Sequence, residues 1–256
     1  LTRYGLERLL YRLSISEHAP KFLLKGALLF QCWYGTEHRP TRDADLLGIG
    51  PDDVPTLVAV FRSLSGLVVE DGFAFDPDSV TGAPIRKAAS HGGVRIDLRA
   101  TLDRARIALQ VDIGFGDAVT PRPQSIDYPS LLADVPAPKL LAYPKATVVA
   151  EKLHAVSTLG MTNSRMKDFF DLWVLLRDPA LPGAEVQQAI EATFVRRQTA
   201  LPDTLPVGLS DAFATDAAKQ LQWRAFLRRN HLDALELAAV LLEVRARLQA
   251  CDFPRQ

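Results

Sequence analysis

Apolar positions recur along this chain with two different periods. Leu6, Leu9, Leu10 and Leu13 share one face of a short amphipathic helix over 3–16. Phe22-Leu23-Leu24 is a brief apolar run of the kind a buried strand makes, and it enters a turn at Lys25-Gly26. Residues 27–34 then read as a helix closed by Gly35, 41–49 as a strand, and 55–64 as a helix with Pro55 in its first turn. The span 67–118 is β-rich, with strands expected at 67–76, 83–90, 93–101 and 106–115. Asp103-Arg104-Ala105 joins the last two as a hairpin. Residues 119–144 hold six prolines and few periodic positions, and read as an extended connection marking a domain boundary. From Lys145 the helical period returns over 145–159, 165–177, 183–197, 211–229 and 231–249. Strands first and helices later predict an α+β fold, with a core domain over 1–144 and a helical domain over 145–256. No internal repeat or low-complexity segment interrupts this order.

Composition narrows the class. The chain has 256 residues, 48% of them hydrophobic and 23% charged, as expected of a globular protein with a sizeable core. Thirty basic residues balance thirty acidic ones, which argues against a general DNA-coating role and leaves room for a local basic patch. Two cysteines, Cys32 and Cys251, make a disulfide scaffold improbable, and Cys32 is expected to be a buried thiol. That cysteine usage fits a reducing cytosol, so a cytoplasmic protein is expected, and no apolar run approaches the roughly 18 residues of a membrane span. The chain begins at Leu1-Thr2-Arg3-Tyr4, which is no signal peptide. With no initial Met, part of the natural N-terminus is expected to precede it.

The chemistry concentrates at Asp43-Ala44-Asp45. Carboxylates at i and i+2 of a strand point to the same face. Like charges held so close call for a cation, and hard oxygen donors suit Mg²⁺ or Mn²⁺. In 107–113, Ile107, Leu109, Val111 and Ile113 alternate toward a core and Asp112 points the other way. If that strand lies beside the one carrying Asp43 and Asp45, Asp112 is a third carboxylate at the same site; otherwise it is a solvent-facing residue of an antiparallel sheet. Asp97 is its rival, though Arg95 and Arg99 flank it on its own face and suit it to internal ion pairing. Lys25 and Arg42 are near enough in sequence to meet phosphates. The plain alternative for Arg42 is an ion pair with Asp43 or Glu37.

A second cluster joins Glu151-Lys152-Leu153-His154 to Arg165-Met166-Lys167-Asp168-Phe169-Phe170-Asp171. Phe169, Leu172, Trp173 and Leu176 form the apolar stripe of the second helix, with Asp168 and Asp171 together on another face. Lys167 and Asp171, four apart, are spaced for an ordinary surface pair. Lys152 lies in an apolar helix and needs an anionic partner, either a nucleotide phosphate or one of Asp168 and Asp171. His154 reads as structural or solvent-exposed. No zinc spacing, nucleophile elbow or Walker A pattern occurs.

In this order the residues 22–27, 39–46, 111–117, 150–153 and 165–172 resemble the motifs of the AbiEii/AbiGii toxins, nucleotidyltransferases of polymerase β-like fold related to the mycobacterial MenT toxins. Trp223, Phe226 and Pro254 fit the looser tail of the pattern. The resemblance implies a mixed sheet with flanking helices and a helical C-terminal half. It implies metal ligands at Asp43 and Asp45 with Asp112 as third acidic residue, phosphate contact by Lys152, and a base or ribose role for Asp168. Gly26 and its neighbours Lys25 and Ala27 would cradle a triphosphate. Arg165, Lys167 and Asp171 count with Asp168 and Arg42 among the candidate nucleotide-binding residues. Where the family carries Gly-Gly or Gly-Ser, this chain has Gly26-Ala27, which keeps the backbone N–H and lacks a hydroxyl.

The resemblance implies transfer of a nucleoside monophosphate from an NTP to an RNA acceptor, by likeness to the MenT toxins the 3′ end of tRNA. It belongs to a bacterial toxin–antitoxin or phage-defence setting with a cognate antitoxin as candidate partner. Arg196, Arg197, Arg224, Arg228 and Arg229 are helical basic residues able to hold an RNA backbone. The alternatives are transfer to a protein or small-molecule hydroxyl, or a non-catalytic nucleotide- or protein-binding module. Substituting Asp43, Asp45 or Lys152 by alanine is expected to abolish transfer and leave the fold intact.

Overall fold

The computed structural model describes residues 1–35, 39–85 and 92–254. Glu37 and the 86–90 part of the strand expected over 83–90 lie outside them. The chain forms two compact units, one of residues 1–117 with 123–143, the other of 118–122 with 144–256.

The first unit is built on a seven-stranded mixed sheet of order β3-β4-β5-β2-β1-β7-β6. Its strands are β1 (Phe22–Lys25), β2 (Asp43–Gly48), β3 (Phe73–Ile85), β4 (Gly93–Leu102), β5 (Ala105–Phe115), β6 (Gln124–Asp127) and β7 (Lys139–Ala142). β1 runs antiparallel to β2 and parallel to β7, so it is flanked on both sides, and all four of its residues are buried. That is why its sequence is a continuous apolar run rather than an alternating one. β4 and β5 alternate. Val94, Ile96, Leu98 and Ala100 face the same side as Ile113, Val111, Leu109 and Ile107, and all eight are buried.

This apolar face meets helix α1 (Thr2–Ser14), whose Leu6, Leu9, Leu10 and Leu13 are each no more than 2% exposed, and helix α3 (Val54–Ser65). At the start of α3 the Asp53 side chain accepts a hydrogen bond from the Thr56 amide at 2.8 Å, and Pro55 sits in the first turn. Between β1 and β2 lies α2 (Leu28–Tyr34), closed by Gly35 in the left-handed conformation.

Several elements differ from the sequence pattern, among them the helix expected over 231–249, which begins only at Leu237. Residues 67–71 are not strand, and the expected strands 67–76 and 83–90 give way to the single β3, whose register against β4 shifts between Asp76 and Thr81. The proline-rich stretch contributes β6 and β7, two strands of four residues each. The expected helix 211–229 is split into α7 (Asp211–Thr215) and α8 (Ala217–Arg229), because Asp216 adopts an extended conformation and caps the Lys219 amide.

The second unit is helical: α4 (Lys145–Leu159), α5 (Met166–Leu176), α6 (Gly183–Arg196), α7, α8 and α9 (Leu237–Gln249). α4 packs on α5 and α6, and α5 on α8 and α9. Phe170 of α5 stacks near Trp223 and Phe226 of α8, with ring centroids 6.4 and 5.8 Å away. The Trp223 indole N–H donates to the Leu235 carbonyl at 2.6 Å. Among the described residues no helix is long and apolar enough to cross a membrane.

Candidate active site

The sheet of the first unit brings charged residues from four strands into one transverse row. Lys25 of β1 lies opposite Asp45 of β2, Asp45 opposite Asp112 of β5, and Asp112 opposite Arg95 of β4. Directly paired residues share a face, so these four side chains project together. Ala44 pairs with Val111 on the other, apolar face, which fixes the carboxylates away from the core. Asp43, two residues before Asp45, pairs with Gln110 and falls on the charged face as well. β2 and β5 are thus neighbours and parallel, the arrangement in which Asp112 stands beside the Asp43–Asp45 pair. Asp97, the rival third carboxylate, lies opposite Gln110 and is exposed.

Each acid in the row meets a partner. Asp112 is gripped by the Arg95 guanidinium, which donates from Nε to Oδ1 and from Nη2 to Oδ2, both at 2.8 Å. This hydrogen bonding raises the Arg95 pKa above its ordinary value, and the group stays charged. Asp43 Oδ1 accepts from the Thr41 hydroxyl at 2.6 Å. At the other end Lys25 is buried and donates to Asp117 Oδ2 at 2.8 Å, with the Tyr143 ring centroid 5.5 Å from its Nζ. Arg42 is exposed.

Gly26 closes over this row. Its φ is +75°, and a Cβ built there would stand 2.1 Å from Asp45 Oδ2 and 2.8 Å from Asp45 Cβ. Both the backbone conformation and the close approach exclude a side chain. Gly26→Ala is therefore expected to cost roughly 1–3 kcal/mol through the left-handed backbone alone, and to push Asp45 out of the row. A thermal melt reads the first effect and divalent-cation titration the second.

Mg²⁺ is commonly held by one or two carboxylates, with water and substrate phosphates completing its shell. Asp43 and Asp45, adjacent on one face with hard oxygen donors, fit that description. Asp112 has both oxygens committed to Arg95. Among the described residues no three His, Cys, Asp or Glu side chains are gathered to hold a metal together.

In the second unit the other sequence cluster forms a buried ion network. Lys152 of α4 donates to Asp168 Oδ1 at 3.1 Å, and its Nζ stands 2.6 Å from Asp171 Oδ2. Both aspartates, on α5, are fully buried, and the Lys152 side chain is 12% exposed. Arg165 Nε lies 2.8 Å from Asp168 Oδ2, an ion pair by distance that lacks hydrogen-bond alignment. Lys167 is exposed, and Asp171 turns to Lys152 instead of making the surface pair its spacing allowed. His154 is buried rather than solvent-exposed: Nε2 contacts the Thr199 hydroxyl at 2.8 Å and Arg197 Nη1 approaches Nδ1 at 3.2 Å.

Sequence reasoning missed two partners. Asp117 ends the run 111–117, but its pairing with Lys25 depends on where β1 lies. Arg95 was legible in principle, since counting back from a two-residue hairpin turn sets it opposite Asp112. Cys32 and Cys251 are free; Cys32 is half-buried rather than buried as expected, and the desolvation it feels pushes its thiol up to about 12, leaving it neutral near pH 7.

Two solved structures share this fold. JHP933 from Helicobacter pylori matches with a TM-score of 0.56 at 15% identity, covering 97% of this chain and 90% of that one. A protein from H. pylori described as a candidate nucleotidyltransferase matches with a TM-score of 0.54 at 15% identity, covering 98% of this chain and 92% of that one. The mixed sheet with a helical C-terminal region is thus a fold that both of those structures share. The chain itself belongs to the nucleotidyl transferase AbiEii toxins of type IV toxin–antitoxin systems, whose family model matches residues 8–244. A search of curated proteins finds none that matches.

Proposed function

We propose that this nucleotidyltransferase toxin is metal-dependent and transfers a nucleoside monophosphate from an NTP to the 3′ end of tRNA. The observation that carries the reading is the register Asp45–Asp112 between parallel β2 and β5, with Asp43 on the same face. A hydroxyl oxygen of the acceptor attacks the α-phosphorus, the bond from that phosphorus to the bridging oxygen breaks, and pyrophosphate leaves. A bound Mg²⁺ or Mn²⁺ supplies charge neutralisation of the triphosphate and acidifies the attacking hydroxyl. Asp43 and Asp45 are the residues that would hold it. Asp112, once clear of Arg95, would join them as third ligand, and a carboxylate oxygen left free of metal would accept the hydroxyl proton. The Gly26-Ala27 backbone is assigned to the triphosphate, with Lys25 and Arg42 adding positive charge.

In the second unit Lys152 is the candidate for the nucleotide phosphates, and Asp168, fully buried, would act in the nucleotide site by holding Lys152 and Arg165. Asp171 holds Lys152 in place, and Arg165 and Lys167 are exposed cations. Arg224, Arg228 and Arg229 are exposed and offer positive charge to an RNA backbone, with Arg196 also at the surface, and Arg197 lies 3.4 Å from Glu151. A cognate antitoxin is the expected protein partner.

The test is incubation with labelled NTPs, Mg²⁺ and total tRNA, with Asp45→Ala alongside. Label on tRNA, lost in the variant, is the expected result. Label on a protein or small molecule instead moves the acceptor to another hydroxyl. No transfer under any condition overturns the catalytic reading.

A further inference from the structure

Asp112 is positioned to serve beside Asp43 and Asp45, yet both of its oxygens are taken. Arg95 reaches it from the adjacent antiparallel strand in direct register, two nitrogens to two oxygens at 2.8 Å each. The fork leaves no carboxylate oxygen that can turn to a metal or a proton without giving up a charge-assisted bond. Gln110, also on this face, is close enough to join: with its amide oriented oxygen-first, it accepts from Arg95 Nε at 3.3 Å and Nη2 at 3.2 Å. The guanidinium therefore has a second acceptor waiting when it leaves Asp112. Side-chain exposure is 41% for Arg95 and 20% for Asp112, so the pair is a partly solvated one that can be broken and remade, not a buried strut.

From this geometry we infer that Arg95 is a latch on the third carboxylate. It neutralises Asp112 in the metal-free enzyme, where two like charges would otherwise face each other across β2 and β5, and a divalent cation must displace it to recruit that oxygen. Arg95 and the metal compete for the same two atoms. Arg95 is thus a positioning residue that sets how much metal the enzyme needs. The inference rests on the metal-site reading given above and adds a residue to it.

The experiment is Mn²⁺ binding to the purified full chain, followed by the paramagnetic resonance of free Mn²⁺, with a thermal melt of every variant. Arg95→Gln removes the competitor and is expected to tighten Mn²⁺ binding roughly three- to tenfold. Arg95→Lys keeps the charge and loses the fork, and falls between the two. Arg99→Gln removes an exposed charge four residues along the same strand and is expected to leave affinity unchanged. In an Asp112→Asn background Arg95→Gln is expected to have no further effect. Equal shifts from Arg95→Gln and Arg99→Gln reveal only long-range charge and overturn the latch. So does an Arg95→Gln affinity equal to or weaker than that of the wild type. The underlying reading fails separately: Asp45→Asn binding Mn²⁺ as the wild type does removes the carboxylate site itself.

Discussion

Asp45→Asn is expected to lower nucleotide transfer by at least about 10³-fold, a loss of about 4 kcal/mol of transition-state stabilisation. Asp45 is the centre of the charged row, with Asp112 on one side and Lys25 on the other, and it lies directly under Gly26. Asparagine keeps the shape on which the Gly26 approach depends and removes the charge that a divalent cation needs. Asp45 lies opposite the cation Lys25 as well as opposite Asp112, whose charge Arg95 already meets, so the variant is expected to melt close to the wild-type temperature. Activity should therefore fall without loss of the fold. Labelled-nucleotide transfer and a thermal scan measure the two. A variant with wild-type transfer rates would remove Asp45 from the mechanism.

Lys152→Ala should behave differently, and here the structure corrects the expectation of an intact fold. Lys152 is the cation shared by two fully buried carboxylates, Asp168 and Asp171. Removing it leaves Asp171 with its charge uncompensated at that contact and Asp168 with only Arg165, which is half out in solvent. Breaking a buried pair in this way typically costs about 3–5 kcal/mol. At roughly 2–4 °C per kcal/mol for a protein of this size, the melting temperature should fall by on the order of 10 °C. Loss of transfer in Lys152→Ala then reports lost structure together with any lost phosphate contact. Adding Asp171→Asn to Lys152→Ala should recover part of the stability by removing one stranded charge. If Lys152→Ala unfolds at the wild-type temperature, the network is not the support its burial implies.

The charged face was readable in the sequence because period-two alternation assigns faces without tertiary information. Asp43, Asp45 and Asp112 each oppose a buried neighbour on the other side of the pleat. What sequence could not supply was adjacency. Parallel pairing of β2 with β5 has no turn to announce it, and the four-residue β7 that joins β1 lies within the proline-rich stretch that read as a linker. Arg95 shows how fine the margin is. The hairpin pairs Leu102 with Ala105 around Asp103 and Arg104, which places Arg95 opposite Asp112. A three-residue turn, as the pattern suggested, shifts the register by one and puts Arg95 opposite Ile113, on the wrong face. In α4 and α5 the residues were identified but their roles divided. An apolar helix signals that Lys152 needs an anion without saying that two buried aspartates supply it.

The parallel pairing of β2 with β5 has a consequence for the timing of the toxin's appearance. Asp45 and Asp112 are far apart along the chain, and β5, which carries Asp112, is the last made of the four strands in the row. At synthesis rates of about 5–20 residues per second, roughly several seconds separate the emergence of the two carboxylates from the ribosome. Contacts of such long sequence separation also close late in folding. On the proposed role of Asp112, a nascent chain that has delivered β1, the glycine turn and β2 still lacks one of its carboxylates, and the charged row cannot be completed until β5 has left the ribosome.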